Sequence, residues 1–337
     1  YIEKGLKQHK LAILFCICLI ATYALGFNLL CSYNLQSTFM DYSFYNPATT
    51  PLIIGAILAI LTGYCLMGGG NRIVKITSTV VPIMGVAYVL VALIVILINY
   101  QNILPMFVLI FQDAFDFKSI AGGVIGSCLV YGIKRGLFSN EAGVGSAPNA
   151  SASAKVSHPA KQGLVQVLSV FIDTLLVCSA TAFMCMTSGV TPPTNSNQAV
   201  AYVQQALGAT LGKAGPIFVT VAMILFAFTT LLGNLFYVDK TINYLLGKEP
   251  SKNVRNIIYI VASVVIFVGA GLSADLLWGV ADIMMGGMTL INMPIILILG
   301  KYAIRTLRDY ERKRKMGGDI TFCTRDIDLP HKTDYWN

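Results

Sequence analysis

Residues 136–148 read Gly-Leu-Phe-Ser-Asn-Glu-Ala-Gly-Val-Gly-Ser-Ala-Pro, and they follow an apolar run in a strongly hydrophobic chain. Asn140 and Glu141 stand there among three glycines, Pro148 and small residues. This is poor material for a plain lipid-facing helix. A charge at membrane depth costs about 2.5–3.5 kcal/mol on insertion scales, so it normally faces a cavity or a partner. Broken backbone at that depth survives only where protein or water satisfies its N–H and C=O groups. The stretch reads as a transport site inside a membrane protein.

Composition supports the setting. Of 337 residues, 55% are hydrophobic and only 12% charged, and the mean hydropathy is +0.69. A soluble domain carries about 25% charged residues. The chain is read as an all-α polytopic membrane protein. Seven of the eight cysteines (Cys16, Cys18, Cys31, Cys65, Cys128, Cys178, Cys185) lie in or beside apolar helices, Cys323 follows in the tail, and there is no Cys-x-x-Cys. They read as small apolar packing residues rather than as a disulfide framework. His9, His158 and His331 are scattered in polar segments, which argues against a metal cluster. The net charge of +8 does not signal nucleic acid, because the bases sit in short loops and the tail, as positive-inside topology requires.

A spanning helix needs about 20 mostly apolar residues. Eight spans are expected, over 10–38, 51–68, 73–99, an interrupted 119–150, 161–188, 214–246, 255–272 and 287–308. Residues 101–117, with Pro105, Asp113 and Asp116, fit an interfacial or re-entrant helix. Residues 274–286 fit a short helix leading into the last span. The outer loop 189–199 is polar and Pro-rich, a connector. Lys and Arg alternate between loops so that both ends of the chain are cytoplasmic. Residues 1–310 are expected to form the transmembrane domain, and 311–337 a polar, mobile cytoplasmic tail.

Several polar residues could carry chemistry. At the glycine-rich break, a plain helix end capped by Ser139 or Asn140 and a discontinuous helix offering freed N–H and C=O groups to a substrate are both open. Asp173 lies deep in the fifth span and needs a partner, with Arg135 and Lys134 the nearest candidates in kind. Phe226, Thr230, Asn234 and Tyr237 line one face of the sixth span, with Thr229 beside it. Those threonines can ligate a hard monovalent cation or back-bond to the preceding turn. Asn28 and Asn34 suit interhelical hydrogen bonding. The single Asp113-x-x-Asp116 is a weak diphosphate motif. Ser146 has no histidine on another span to activate it, so an enzyme is not expected.

The run Arg135-Gly-Leu-Phe-Ser-Asn-Glu-Ala-Gly-Val-Gly-Ser-Ala-Pro148 resembles the signature of the alanine/glycine:cation symporters, also called sodium:alanine symporters. His158-Pro-Ala-Lys-Gln-Gly-Leu, Phe171-Ile-Asp-Thr-Leu-Leu-Val-Cys178, Phe226-Ala-Phe-Thr-Thr-Leu-Leu-Gly233 and Trp278 with Ala281-Asp-Ile fall in the family's order. The resemblance covers the chain to about residue 308. It implies part of a five-plus-five inverted-repeat helical bundle. It also implies uptake of a small neutral amino acid (alanine, glycine or glutamine) across the cell membrane, driven by sodium or protons through alternating access.

Carried over by residue, the resemblance points to Ser139, Asn140, Gly143 and Asn234 for substrate and to Thr229 and Thr230 for sodium. Arg135, Glu141 and Asp173 become structural or gating charges. No cofactor is implied beyond sodium as coupling ion. The family often has Trp where this chain has Asn234, Gly-Glu at Val238-Asp239 and a small residue at Lys134. Losing an indole enlarges the pocket and leaves room for a larger polar substrate. The family's pattern begins before the match to Tyr1, with a glycine-rich first core helix, so the chain is expected to lack the family's N-terminal helices and to be part of a functional symporter. The alternatives are a non-transporting amino-acid sensor or membrane scaffold, and an inactive fragment of the symporter.

Overall fold

Apolar stretches with few charges have to satisfy their own backbone in lipid, and helices do so within one segment. The computed structural model describes residues 1–67, 69–114, 124–317, 320–329, 333, 335 and 336. In chain order its helices are α1 (Ile2–Leu6), α2 (His9–Ser37), α3 (Thr50–Met67), α4 (Gly69–Ile98), α5 (Ile103–Ala114), α6 (Val124–Asn140), α7 (Ala147–Ser151), α8 (Pro159–Thr187), α9 (Ala199–Leu211), α10 (Ala214–Leu246), α11 (Lys252–Gly269) and α12 (Ala274–Met316). Among the described residues there is no strand.

Seven of these helices are long and apolar enough to cross a membrane. They match seven of the eight expected spans. The remaining one, at 119–150, begins outside the described residues, as do Asp116 and Lys118. Its described part is the 17-residue α6, then a non-helical turn over 141–146 and the short α7. The interruption is therefore real. α5 has 12 residues, about 18 Å of helix, too short to span.

One expectation about helices fails. Residues 274–286 are not a separate short helix. They are continuous with the last span in the 43-residue α12, because Gly286-Gly287 costs only about 1 kcal/mol per glycine and the flanking residues are good helix formers. After the connector at 189–199 comes a helix that the sequence reading did not place, α9. Val200, Val203, Leu207 and Leu211 recur at helical spacing and pack on the cluster formed by α4, α8 and α10. Gln204 is buried and donates to the Thr38 carbonyl at 2.9 Å and the Thr220 hydroxyl at 3.1 Å, which ties α9 to the end of α2.

The largest buried cluster joins α2 and α12 around Tyr23, Leu277, Ala281 and Met288, and it includes Val144 from the break. A second joins α3, α10 and α11 through Leu66, Leu231, Leu232 and Ile266. Gly269 lets α11 touch α2 closely, since a Cβ there would lie 2.6 Å from the backbone of Leu29. Outward faces are strongly apolar, with Ile60, Ile283, Leu290 and Leu297 among the most exposed side chains. Such faces are stable against lipid tails and not against water.

The expectation of a mobile tail also fails for residues 320–329. The helix runs past residue 310 to Met316, and the chain then folds back. Phe322 N–H donates to Ser157 O at 3.1 Å, Ser157 Oγ donates to Ile320 O at 2.8 Å, and Lys313 Nζ bonds Asp326 at 2.5 Å. His158 is fully buried between Tyr310 and Phe322. Its Nδ1 accepts the Ala160 N–H at the start of α8, so Nε2 carries the ring proton and faces Asp309 at 3.3 Å. Burial holds the His158 pKa below its usual 6.5, despite the Asp309 carboxylate. The unfolded chain therefore takes a proton that the folded site refuses. The stabilisation is present above about pH 6.5 and is lost as the pH falls. We expect the thermal midpoint of the purified protein to drop between pH 7 and 5. The drop should be smaller in His158→Asn, which keeps a helix-capping oxygen. An equal acid response in both proteins would refute this account.

Candidate functional site

The break begins where α6 ends. Glu141 adopts a left-handed conformation (φ 53°), followed by Gly143 (φ 87°) and Gly145 (φ 100°). A side chain at Gly145 would also strike Phe15 at 2.6 Å and Asn292 at 2.9 Å, so the turn needs glycine there on two counts.

Four helices supply what the broken backbone lacks. Ala142 N–H donates to Asn140 Oδ1 at 2.8 Å, a local turn that stands in for a helical bond. Asn140 Nδ2 donates to Gly136 O at 3.0 Å and across to Thr174 Oγ1 of α8 at 2.8 Å. Asn292 of α12 donates to Gly143 O at 2.8 Å. Glu141 Oε2 accepts from Tyr23 of α2 at 2.7 Å and from Ser146 at 2.5 Å. Ser139 Oγ donates to Asp173 Oδ2 at 2.7 Å.

Two of these partners sit on unusual backbone. Both α2 and α8 contain a π-helical turn, over Ala21–Gly26 and Ile172–Cys178. Tyr23 belongs to the first, Asp173 and Thr174 to the second. A π turn inserts a residue into the helix and re-aims its neighbours, and it is frequent at functional sites. Here both aim at the same break.

The expected pairing of Asp173 with Arg135 or Lys134 is not what forms. Both bases go to Asp282 of α12, Arg135 Nη2 to both carboxylate oxygens at 2.7 Å and Lys134 Nζ to one at 2.5 Å. The Arg135 guanidinium also lies over Trp278 at 4.6 Å and Phe138 at 5.1 Å. α6 gives its two bases to Asp282 of α12 and its Ser139 hydroxyl to Asp173 of α8. Asp173 is served by a hydroxyl.

Between α6, α8 and α10 lies a polar cavity of about 360 Å³, bordered by Ser139, Asn140, Glu141, Asp173, Thr230 and Asn234. It adjoins an apolar cavity of about 950 Å³ that shares Asp173, Thr230 and Tyr237 and is walled by Phe226 and Phe236. Thr229 borders only the larger one. It is buried and back-bonds to Leu225 O at 2.9 Å, which leaves its oxygen lone pairs unused by that bond. Thr230 is exposed to the cavity. Asn234 is buried, and its Nδ2 donates to Asn28 Oδ1 at 3.0 Å. Gly143, expected at the substrate, does not border the cavity, and its carbonyl is taken by Asn292. Sequence reasoning did not single out Tyr23, Thr174 or Asn292. Asp282 carried the signal of a carboxylate in an apolar helix, but its partner was not readable.

The comparisons with known proteins agree with this architecture. The chain matches the sodium:alanine symporter family over residues 1–324. It is 36% identical over 336 residues to the amino-acid carrier protein AlsT of Bacillus subtilis, covering 100% of this chain and 70% of that protein. It is 36% identical to the probable sodium/glutamine symporter GlnT of Bacillus subtilis, covering 96% of this chain and 66% of the relative. It is 35% identical to the sodium/alanine symporter AgcS of Methanococcus maripaludis, covering 94% and 69%. The chain thus spans about two thirds of the length of these relatives. With a match that runs nearly its whole length, it belongs to the sodium:alanine symporter family, a family of multi-pass membrane transporters.

Proposed function

We propose that this protein is a secondary active symporter that couples sodium entry to uptake of a small neutral amino acid. The observation that carries the reading is the polar cavity at the broken helix, flanked by two π turns, in a chain of this family. A cavity of about 360 Å³ is at the small end of ligand sites, about 300–1,000 Å³, which suits an amino acid.

In this reading the amino acid lies between α6 and α10. Ser139, Asn140 and Asn234 shape its surroundings, and Gly143 fixes the turn behind them. The unwound backbone offers oriented dipoles to the charged ends of the substrate. Thr229 and Thr230 offer hydroxyl oxygens to sodium, a fit in donor type since a hard cation takes oxygen ligands. The Lys and Arg pattern supports both ends of this chain at the cytoplasmic face, with residues 1–310 as the carrier and 311–337 at its edge.

Asn28 holds one donor of Asn234, which leaves the rest of that amide for the cavity. The sequence difference from tryptophan there favours a substrate longer than alanine, in line with the GlnT relative. Glu141 accepts from two hydroxyl donors and ties the break to α2. Arg135 and Asp282 join α6 to α12.

In proteoliposomes of the full-length protein, labelled alanine, serine or glutamine should accumulate only with an inward sodium gradient. In equilibrium binding to the purified protein, sodium should raise substrate affinity by the same factor that substrate raises sodium affinity. Uptake with no response to sodium or to a proton gradient would sink the coupling, and no uptake at all would favour a sensor or scaffold. Asn234→Trp should shift preference toward glycine and alanine and away from glutamine in competition assays. An unchanged preference order would remove Asn234 from the pocket. Asp282→Asn should cut uptake about tenfold or more, the equivalent of the roughly 1.5–3 kcal/mol of a charge-assisted bond. The double variant Arg135→Asp with Asp282→Arg should recover part of it. Equal losses in the single and double variants would show that the pair is not the reason.

A further inference from the structure

We propose that the outer face of α12 holds an anionic phospholipid, with its acyl chain along an apolar line and its phosphate on a basic stripe. Ile283, Leu290, Leu297 and Ile304 recur every seven residues and are 77%, 78%, 75% and 54% exposed. A seven-residue repeat keeps them on one helix face, drifting only about 20° per step. From Ile283 to Ile304 the helix rises about 31 Å at 1.5 Å per residue, which matches the roughly 30 Å of hydrocarbon in a bilayer. This line therefore meets lipid along its full length.

The same face then turns basic. Lys301 follows Leu297 by four residues and Arg308 follows Ile304 by four. Lys301, Arg305, Arg308, Arg312 and Lys315 are spaced four, three, four and three, and all are exposed. Residues 301–316 hold seven bases against two acids. Positive-inside topology requires only that bases be in the loop. It does not require them on the face that continues a lipid-facing line, at the depth where headgroup phosphates begin.

The folded-back tail completes the pocket. A cavity of about 360 Å³ lies between Arg305, Arg308 and Arg312 and residues 326–328. Its carboxylates are largely spoken for. Asp309 is buried and held by Lys313 at 2.9 Å and Arg312 at 2.6 Å, and Asp326 is held by Lys313. Asp328 is exposed on the far wall. Arg305 Nη1 donates to Ile327 O at 3.3 Å, and no protein acceptor is seen for Arg308 among the described residues. Its guanidinium is positioned to give a charge-assisted hydrogen bond to a phosphate oxygen.

The proposal needs the membrane setting but not the transport reading, and its test involves no transport. The purified full-length protein in neutral detergent would be titrated with phosphatidylglycerol or phosphatidylcholine and read by native mass spectrometry. Phosphatidylglycerol should bind in preference. Each basic residue near the surface is worth about 1 kcal/mol, a factor of about five, so Lys301→Gln with Arg308→Gln should weaken binding about 25-fold. Lys301→Arg with Arg308→Lys should retain it, which separates charge from misfolding. Leu297→Asn should weaken lipid binding too, since a free anion would ignore that residue. Equal binding of both lipids, or no effect of the double Gln variant, would overturn the proposal. So would displacement of phosphatidylglycerol by millimolar inorganic phosphate with Leu297→Asn silent, because the pocket would then be a free-anion site.

Discussion

A helix broken inside a hydrocarbon layer leaves N–H and C=O groups with no water to bond, and each costs several kcal/mol if left alone. The turn over 141–146 creates that debt, and much of the surrounding structure is arranged to meet it. Asn140 closes the first gap locally, Asn292 takes the Gly143 carbonyl, and Ser146 and Tyr23 share one oxygen of Glu141. These four side chains come from three segments far apart in sequence. The break can form only once α2 and α12 have packed on it, which is why Val144 belongs to their common buried cluster.

The π turns are the local counterpart of this constraint. A regular helix presents side chains at fixed intervals of about 100°, and neither α2 nor α8 need present the right one to an irregular neighbour. One inserted residue shifts the phase. In α8 the shifted turn carries two adjacent acceptors, Asp173 and Thr174, and they take Ser139 and Asn140 in turn. In α2 it carries Tyr23, whose ring also packs edge-on against Phe27 and Tyr237. The site is thus built from three irregular backbones facing one another, with the regular α10 as the remaining wall.

Much of this was legible in the sequence, for reasons that differ by residue. The spans were readable because hydropathy over about 20 residues is a strong signal, and α10 was placed at the observed residues. The break was readable because glycine, asparagine and a carboxylate cannot share a lipid-facing helix. Partners were not. Arg135 and Asp173 are opposite charges on adjacent helices in the sequence, yet Arg135 pairs with Asp282, 147 residues away. Sequence spacing fixes which face of a helix a residue is on, not which helix that face meets. Tyr23 and Asn292 gave no signal for the same reason, since an isolated tyrosine or asparagine in a span has many possible partners. The fold-back of 320–329 escaped because polar composition describes a tail in water and says nothing of a buried histidine waiting for Phe322.

The interactions around the break differ in how readily they can be exchanged, and this bears on motion. Hydroxyl bonds to a carboxylate can pass to water or substrate, because another hydroxyl or a water replaces the donor in kind. Arg135 Nη2 reaches both oxygens of Asp282, Lys134 joins one of them, and the guanidinium lies over Trp278. Opposite charges meet there, and a water or a neutral hydroxyl replaces neither of them in kind. An alternating-access cycle would then keep the first half of the broken helix with α12 and let the second half, beyond Glu141, exchange its partners. The glycines at 143 and 145 lie on the exchanging side, where backbone freedom is useful. The charges lie on the side that stays fixed.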